Sequence, residues 1–184
     1  MDEDADRLAV FPSALGWMAV QTRGPTLIQL SFGLASPEKA LAALEQRLAA
    51  GATIGQESSE LSERLQAYAV GARDDFRDVK LDPGSQTEFQ RRVVQKCRRI
   101  SYGRMLTYGE LAQAAGFPRA ARAVGSVMRT NRTPLVVPCH RVVASSGKPG
   151  GYSAGEGVRM KLRLLELEGF GASPPDRNEI RPGI

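Results

Sequence analysis

A short segment rich in turn-forming residues, Asp82-Pro83-Gly84-Ser85, divides this 184-residue chain into two parts of opposite charge. Residues 1–83 carry 8 Lys/Arg and 13 Asp/Glu, whereas residues 84–172 carry 15 Lys/Arg and 5 Asp/Glu. Pro and Gly interrupt both helices and strands, so this segment marks a domain boundary. We predict an N-terminal α/β scaffold domain over 1–83, a C-terminal domain over 84–172 and a flexible, Pro- and Gly-rich tail over 173–184.

The charge of the second half, +10 over residues 84–172, favours a polyanionic partner over a merely soluble basic surface. Among polyanions, nucleic acid fits best. Two cysteines and an acidic rather than signal-like N-terminus predict a reducing, cytoplasmic location. No apolar run has the length of a membrane span. One histidine and two cysteines are too few for a usual structural zinc site, so we expect neither a metal nor another cofactor.

The N-terminal part has the pattern of an α+β fold. Short apolar or alternating runs at 8–11, 17–20 and 26–32, separated by Pro and Gly, predict a small antiparallel meander. A capping signal predicts a helix from Ser36 to about Ala50. A shared apolar face of Leu61, Leu65, Tyr68 and Ala69 predicts another from about Ser59 to Phe76. This half contains no catalytic constellation, so its predicted role is that of a scaffold.

The C-terminal part has mainly helical patterns. A helix over 87–100 carries an apolar stripe that includes Cys97, which is therefore interpreted as an unreactive core residue. Helices over 108–115 and 119–129, joined by a Gly-containing turn, predict a helix-turn-helix, whose second helix normally meets DNA. Thr107 and Glu110 form a capping box at the start of the first of these helices. A last helix is predicted over 157–168.

The only histidine of the chain, His140, lies next to Cys139. A thiol becomes nucleophilic as the thiolate, which a neighbouring base or positive charge favours. Leu135-Val136-Val137 predicts a short buried strand that Pro138 ends. Adjacent side chains of an extended backbone point to opposite faces, so the pair can cooperate only through a local turn or a bridging water. A buried cysteine beside an ordinary histidine is the structural alternative.

Glu168 ends the last helix, where a negative charge opposes the helix dipole. A partner such as His140 would offset that cost. A solvated glutamate at a small energetic cost is the equally open alternative.

Five motifs in order resemble one family. They are Thr107-Tyr108-Gly109-Glu110-Leu111-Ala112, Ala120-Ala121-Arg122-Ala123-Val124-Gly125, Val137-Pro138-Cys139-His140-Arg141-Val142, Gly151-Tyr152-Ser153 and Leu164-Leu165-Glu166-Leu167-Glu168-Gly169. Together they resemble the O6-alkylguanine-DNA alkyltransferases, strongly over 89–169 and only in general layout over 1–83. The resemblance implies a ribonuclease H-like N-terminal domain and a winged helix-turn-helix-like C-terminal domain. The implied partner is double-stranded DNA that contains O6-alkylguanine, bound by a monomer.

The resemblance also implies a role for each matching residue. Cys139 would be the nucleophile and permanent alkyl acceptor. His140 would take its proton through a water, and Glu168 would orient and charge the imidazole. Tyr108 would donate toward the leaving guanine and help to rotate the nucleotide, and Asn131 would shape the turn before Cys139. The implied DNA-binding residues are Arg122, which would fill the space left by the flipped base, with Thr107, Ala121, Gly125, Ser126 and Arg129. The implied substrate pocket consists of Pro134, Val142, Tyr152 and Ser153.

Two features depart from the family pattern. Arg132 stands where the family usually has proline, and the loop over 154–159 is slightly longer than in compact members, which leaves the range of accepted alkyl groups open. The implied reaction is a single transfer from O6-alkylguanine, and from O4-alkylthymine, to Cys139. A non-catalytic binder of alkylated DNA and a helix-turn-helix regulator are the alternatives. Cys139 argues against the first, and the scarcity of base-reading side chains in the Ala- and Gly-rich second helix argues against the second.

Overall fold

A computed structural model of the chain describes residues 5–44, 52–54 and 59–170 and has a mixed α+β architecture. Two compact units form, one from the residues up to Asp74 with Asp78–Asp82, the other from Asp75–Arg77 with the residues from Pro83 onward. In chain order the elements are β1 (Asp6–Phe11), β2 (Trp17–Arg23), β3 (Thr26–Leu34), α1 (Pro37–Ala42), β4 (Thr53–Ile54), α2 (Glu60–Ala69), β5 (Lys80–Leu81), α3 (Glu88–Cys97), β6 (Leu106–Thr107), α4 (Tyr108–Ala114), α5 (Ala121–Arg129), a 3₁₀ turn (Cys139–Arg141), β7 (Val142–Val143) and α6 (Val158–Leu167).

A five-stranded sheet in the order β4-β1-β2-β3-β5 forms the first unit. β1, β2 and β3 pair antiparallel, which confirms the predicted meander. The two-residue strands β4 and β5 pair parallel to β1 and β3 and were not predicted, because two residues show no periodicity. Leu8, Ala19, Ala40 and Leu44 join α1 to the sheet in one apolar cluster.

Two helices of this unit are shorter than the sequence predicts. α1 starts at the predicted cap, Ser36, but ends at Ala42, and the predicted extension over 45–50 lies outside the described residues. α2 starts after Ser59 as predicted and ends at Ala69 instead of Phe76. Gly71 has a φ of 100°, a left-handed backbone that ends a helix, and Phe76 itself has a φ of 47°.

The helices of the second unit follow the predicted order. α3 begins at a capping box of Thr87 and Gln90 and buries Val93 and Cys97. α4 begins at the predicted capping box of Thr107 and Glu110. α5 begins two residues later than predicted, because Arg119 has a φ of 74° and cannot belong to a right-handed helix. None of the helices described here is long and apolar enough to cross a membrane.

The predicted strand Leu135-Val136-Val137 is wrong, although all three residues are buried. Leu135 has a φ of 71°, which is incompatible with a strand, and the Val137 N–H donates to the Thr133 carbonyl at 2.8 Å. The strand of this region is β7 instead, which pairs parallel to β6 through Leu106–Val142 and Thr107–Val143. This pairing brings the start of α4 to the segment that contains Cys139 and His140.

We predict that Thr87→Ala lowers the free energy of unfolding by about 1 kcal/mol, because the Thr87 hydroxyl accepts from the Gln90 N–H at the first turn of α3. Urea denaturation of the full chain measures the change. Thr87→Ser keeps the hydroxyl and should retain most of the stability. An unchanged midpoint in Thr87→Ala would show that the cap does not stabilise α3.

Candidate active site

Asn131 shapes the turn that presents Cys139. Its Oδ1 accepts from the Thr133 N–H at 3.1 Å, and its Nδ2 donates to the Val137 carbonyl at 2.8 Å and lies 3.1 Å from Cys139 Sγ. One carboxamide therefore closes the chain reversal and holds the sulfur. The N–H and the carbonyl of Val137 are both hydrogen-bonded within this turn, which is why Leu135-Val136-Val137 does not form the predicted strand.

Cys139 and His140 lie in a 3₁₀ turn rather than on an extended backbone. Successive side chains of a 3₁₀ turn are about 120° apart, so the two groups do not point to opposite faces. Cys139 is 6% exposed and His140 is fully buried. His140 Nε2 lies 2.9 Å from Glu168 Oε1, behind the sulfur-bearing turn.

Arg141, which the sequence analysis did not assign a role, holds the same carboxylate. Its Nε and Nη2 donate to Glu168 at 2.8–3.1 Å, and its Nη1 donates to Asp75 at 2.9 Å and to the Ile100 carbonyl at 2.5 Å. The Gly103 N–H donates to Glu168 Oε2 at 3.1 Å. Glu168 is thus a buried, multiply hydrogen-bonded carboxylate and not the solvated acid that was the alternative.

These contacts fix the charge states of Glu168 and His140. Burial raises the pKa of Glu168, but His140 and Arg141 together lower it to about 2, so the carboxylate is ionised. Burial lowers the pKa of His140, with Arg141 and Lys161 acting in the same direction against Glu168. A neutral imidazole that faces a carboxylate through Nε2 carries its proton there, which leaves Nδ1 as the basic nitrogen.

Cys139 rests as a thiol. Burial raises its pKa, and Asn131, Lys161, the backbone and Tyr152 oppose that effect. Burial is the larger influence, so the pKa of Cys139 lies above its ordinary value, and the adjacent His140 is not among the groups that lower it. Cys97 is fully buried and its pKa is raised further, well above the ordinary value, with burial as the main cause.

Tyr108, the first residue of α4, lies between a helix and a glycine-rich loop. A Cβ added at Gly125 of α5 would meet its ring at 3.9 Å, and one added at Gly150 would meet its hydroxyl oxygen at 2.9 Å. Gly150 also has a φ of 74°, so both the backbone angle and the contact with Tyr108 require glycine at this position. Burial and the nearby thiols raise the pKa of Tyr108, which keeps the phenol protonated and able to donate.

The predicted DNA-binding residues lie mainly on α5. Arg122, Ser126 and Arg129 are exposed, Ala121 and Gly125 are half-buried, and the inner face consists of Val124, Val127 and Met128. Within the described ranges, Arg122 and Arg129 take part in no ion pair. Thr107 differs from the others because its hydroxyl accepts from the Glu110 N–H and is committed to the cap of α4.

The four predicted pocket residues belong to three segments of the second unit. Pro134 and Val142 are buried on either side of Cys139, and Tyr152 is half-buried in the glycine-rich loop. The Ser153 side chain is exposed and donates to the Arg129 carbonyl at the end of α5, at 3.1 Å. The loop that bears Tyr152 and Ser153 is thereby bound to the end of the predicted recognition helix.

Lys161 is the second residue that the sequence analysis missed. It is fully buried on α6, and its Nζ donates to the Val142 carbonyl at 2.5 Å. Lys161, Leu164, Leu165 and Glu168 follow helical spacing, so the periodicity already placed this lysine on the buried face. Asp75, the second carboxylate that Arg141 binds, carries no comparable signal in the sequence.

Over residues 5–44, 52–54 and 59–170, no group of three or more His, Cys, Asp or Glu side chains is arranged to hold a metal ion.

A family model for the DNA-binding domain of 6-O-methylguanine DNA methyltransferases matches residues 88–170. The chain is similar to the methylated-DNA–protein-cysteine methyltransferase of Methanosarcina acetivorans, at 46% identity over 60% of this chain and 68% of the relative. A protein of the same name from Mycobacterium leprae is 46% identical over 60% of this chain and 64% of the relative. The matches to these two curated relatives thus span about two thirds of their length.

A solved structure covers more of the chain. The crystal structure of Mycobacterium tuberculosis OGT in complex with DNA is similar with a TM-score of 0.73 and 34% identity, and the match covers 88% of this chain and 92% of that chain. This similarity includes both compact units, whereas the family model is confined to the second.

We predict that Glu168→Gln lowers the free energy of unfolding at pH 7 by about 3 kcal/mol, because it leaves the Arg141 guanidinium buried without its carboxylate. Since the folded-state pKa of about 2 is below the unfolded value of 4.5, the stabilisation is fully present above pH 4.5 and is lost as the pH falls toward 2.

Urea denaturation between pH 2.5 and 7 measures both effects. Glu166→Gln removes an exposed carboxylate from the same turn of α6 and should change stability by less than about 0.5 kcal/mol. A constant difference between wild type and Glu168→Gln across this pH range would contradict the assigned ionisation.

Proposed function

The chain belongs to the methylated-DNA–protein-cysteine methyltransferase family, and from that premise we propose that it repairs alkylated DNA by direct reversal. The alkyl group of O6-alkylguanine, or of O4-alkylthymine, in duplex DNA is transferred to Cys139. Each molecule acts once, as a methylated-DNA–[protein]-cysteine S-methyltransferase, and works as a cytoplasmic monomer without a metal or another cofactor.

One observation carries the proposal: the sulfur of Cys139 is held by Asn131 next to a neutral histidine that is backed by an ionised, buried carboxylate. The Sγ proton passes through a water to His140 Nδ1, and Glu168 stabilises the imidazolium that forms. The resulting thiolate is a soft nucleophile suited to displacement at carbon. Direct contact between the Cys139 and His140 side chains is not required.

In the transfer step the sulfur forms a bond to the alkyl carbon, and the bond between that carbon and guanine O6 breaks. The electron pair of the broken bond goes to the guanine, which takes a proton from the Tyr108 hydroxyl. The raised pKa of Tyr108 supports this role, since the phenol remains protonated until the leaving base needs the proton. The thioether does not hydrolyse, so the protein is not regenerated.

The target atom lies inside the duplex, so the nucleotide must be flipped out at a cost of a few kcal/mol. We assign α4 and α5 to the helix-turn-helix that binds the DNA, with Arg122 inserted in place of the flipped base. Ala121, Gly125 and Ser126 let the backbone of α5 approach the groove, and Arg129 and the backbone at Thr107 contact phosphates. Exposed arginines without ion-pair partners in the described chain support this assignment.

The pocket for the flipped base is formed by Pro134 and the backbone around Val142 on one side and by Tyr152 and Ser153 on the other. The proposal is completed by a ribonuclease H-like scaffold over 1–83 and a winged helix-turn-helix domain over 84–172. The scaffold has no catalytic part in it. The tail predicted over 173–184 lies outside the described residues.

We predict that Cys139, and not Cys97, accepts one methyl group from a duplex that contains a single O6-methylguanine. Intact mass and peptide mapping after incubation with excess duplex should show 14 Da on the Cys139 peptide, about one group per chain, because a thioether is a stable product. Cys139→Ser should abolish transfer and still bind the duplex, because a hydroxyl is far harder to deprotonate than a thiol.

Cys97→Ala is the matched control and should transfer at the wild-type rate. Binding of the methylated duplex without any mass increase in the wild type would favour a non-catalytic lesion binder. Preference for an undamaged sequence would favour a regulator. Methyl on Cys97, or several lesions repaired per chain, would contradict the mechanism.

We further predict that Arg122→Ala slows repair of duplex DNA at least about tenfold, because removal of the inserted side chain leaves the cost of base flipping uncompensated. The rate with free O6-benzylguanine should change less than about twofold, since a free base needs no flipping. Arg159→Ala removes an exposed positive charge from α6 and serves as the control for charge alone. Equal losses on both substrates would place Arg122 in the chemistry or in folding.

A further inference from the structure

Lys161 is a fully buried lysine that the proposed mechanism does not use. Its Nζ donates to the Val142 carbonyl at 2.5 Å. The Val142 N–H donates to the Cys139 carbonyl. The ammonium group is therefore bound to the far end of the turn that begins with the acceptor cysteine.

Two aromatic rings complete the surroundings of this ammonium group. Nζ lies 5.7 Å from the centroid of the Tyr108 ring and 6.0 Å from that of Tyr152. Both tyrosines belong to the proposed site, one as proton donor and the other as pocket wall. Cation–π contacts of this kind stabilise a desolvated charge only in part.

Lys161 has no carboxylate partner among the described residues. The acidic groups of the site, Glu168 and Asp75, are bound by Arg141, and Glu168 also by His140. Burial lowers the pKa of Lys161 to about 8, while Cys139 and Cys97 act to raise it. At pH 7 the group still carries its charge, although an isolated buried ammonium is costly.

Among the titratable groups that surround the Lys161 ammonium, only one can carry the negative charge that would balance it. Cys97 of α3 and Tyr108 of α4 remain protonated, and Arg141 is positive. His140 is neutral and bound to Glu168. Cys139 remains, and the Lys161 ammonium lowers the pKa of its thiol.

We propose that Lys161 is the fixed positive charge that stabilises the Cys139 thiolate from inside the protein. The inference rests on the proposed function in that Cys139 is the nucleophile. When the thiol proton leaves toward His140, the negative charge on sulfur is balanced by an ammonium group that is already in place. When sulfur bonds to the alkyl carbon, that charge leaves with the guanine and is neutralised by the Tyr108 proton.

A purely structural role for Lys161 makes a different prediction. Such a role needs only a donor to the Val142 carbonyl, and a neutral donor would fill it. A role as counter-charge needs the charge itself. Glutamine and arginine at this position separate the two, because Lys161→Gln keeps a donor without charge and Lys161→Arg keeps both.

The experiment measures the rate at which iodoacetamide alkylates Cys139 in the full chain between pH 5 and 10, with peptide mapping to exclude Cys97. Lys161→Gln should raise the apparent pKa of the reaction by one unit or more, which is about a tenfold lower rate at pH 7. Lys161→Arg should keep the wild-type rate at pH 7. Arg159→Met, an exposed position on the same helix, should leave the profile unchanged.

An unchanged profile in Lys161→Gln would overturn the inference and leave Lys161 a structural donor. If Lys161→Gln does not fold, Lys161→Met tests the same point, because it also removes the charge. A tenfold lower alkylation rate at pH 7 in a folded Lys161→Arg would also overturn the inference. Iodoacetamide needs neither DNA nor a lesion. If the wild type transfers no methyl group but the pH profile of its alkylation still depends on Lys161, the proposed function is rejected and the role of Lys161 as a counter-charge is retained.

Discussion

The site depends on one buried carboxylate, Glu168. It receives hydrogen bonds from Arg141 and from the Gly103 N–H, and it faces His140 through Nε2. Without these partners an ionised carboxylate could not remain in the interior. With them, the end of α6 is tied to the 3₁₀ turn and to the loop before β6. The same contacts decide which nitrogen of His140 is basic, so the fold and the acid–base chemistry share one interaction.

A second constraint acts on the backbone in front of the acceptor. Asn131 uses both ends of its carboxamide to close a turn in a segment whose composition favours a strand. Leu135 has a left-handed backbone within this turn, and Leu135, Val136 and Val137 are buried. The outcome is a thiol on a tight turn, held by an amide donor and covered by apolar side chains, rather than a side chain that alternates along a strand.

Local signals in the sequence predicted much of this arrangement. The predicted caps at Ser36 and Thr107 each mark a helix start in the structure, because capping is a contact between residues three positions apart. Three features were not predicted: the helix ends at Ala42 and Ala69, the parallel pairing of β6 with β7, and the turn at Leu135. Each of these depends on contacts or backbone angles that no periodicity encodes. Of the site, the motifs indicated Cys139, His140 and Glu168 as a set, but not the charged residues Arg141 and Lys161 that surround them.

The two missed cations differ in a way that bears on the chemistry. Arg141 is balanced by two carboxylates, so its charge is used in the resting protein. Lys161 is held by a carbonyl and two rings, which stabilise a cation less than a carboxylate does. Burial keeps Cys139 a thiol at rest, yet the same low-dielectric surroundings strengthen any attraction between sulfur and Lys161 once the proton has left. A site arranged in this way protects the thiol until a base takes its proton, and it then favours the charge that the nucleophile must carry.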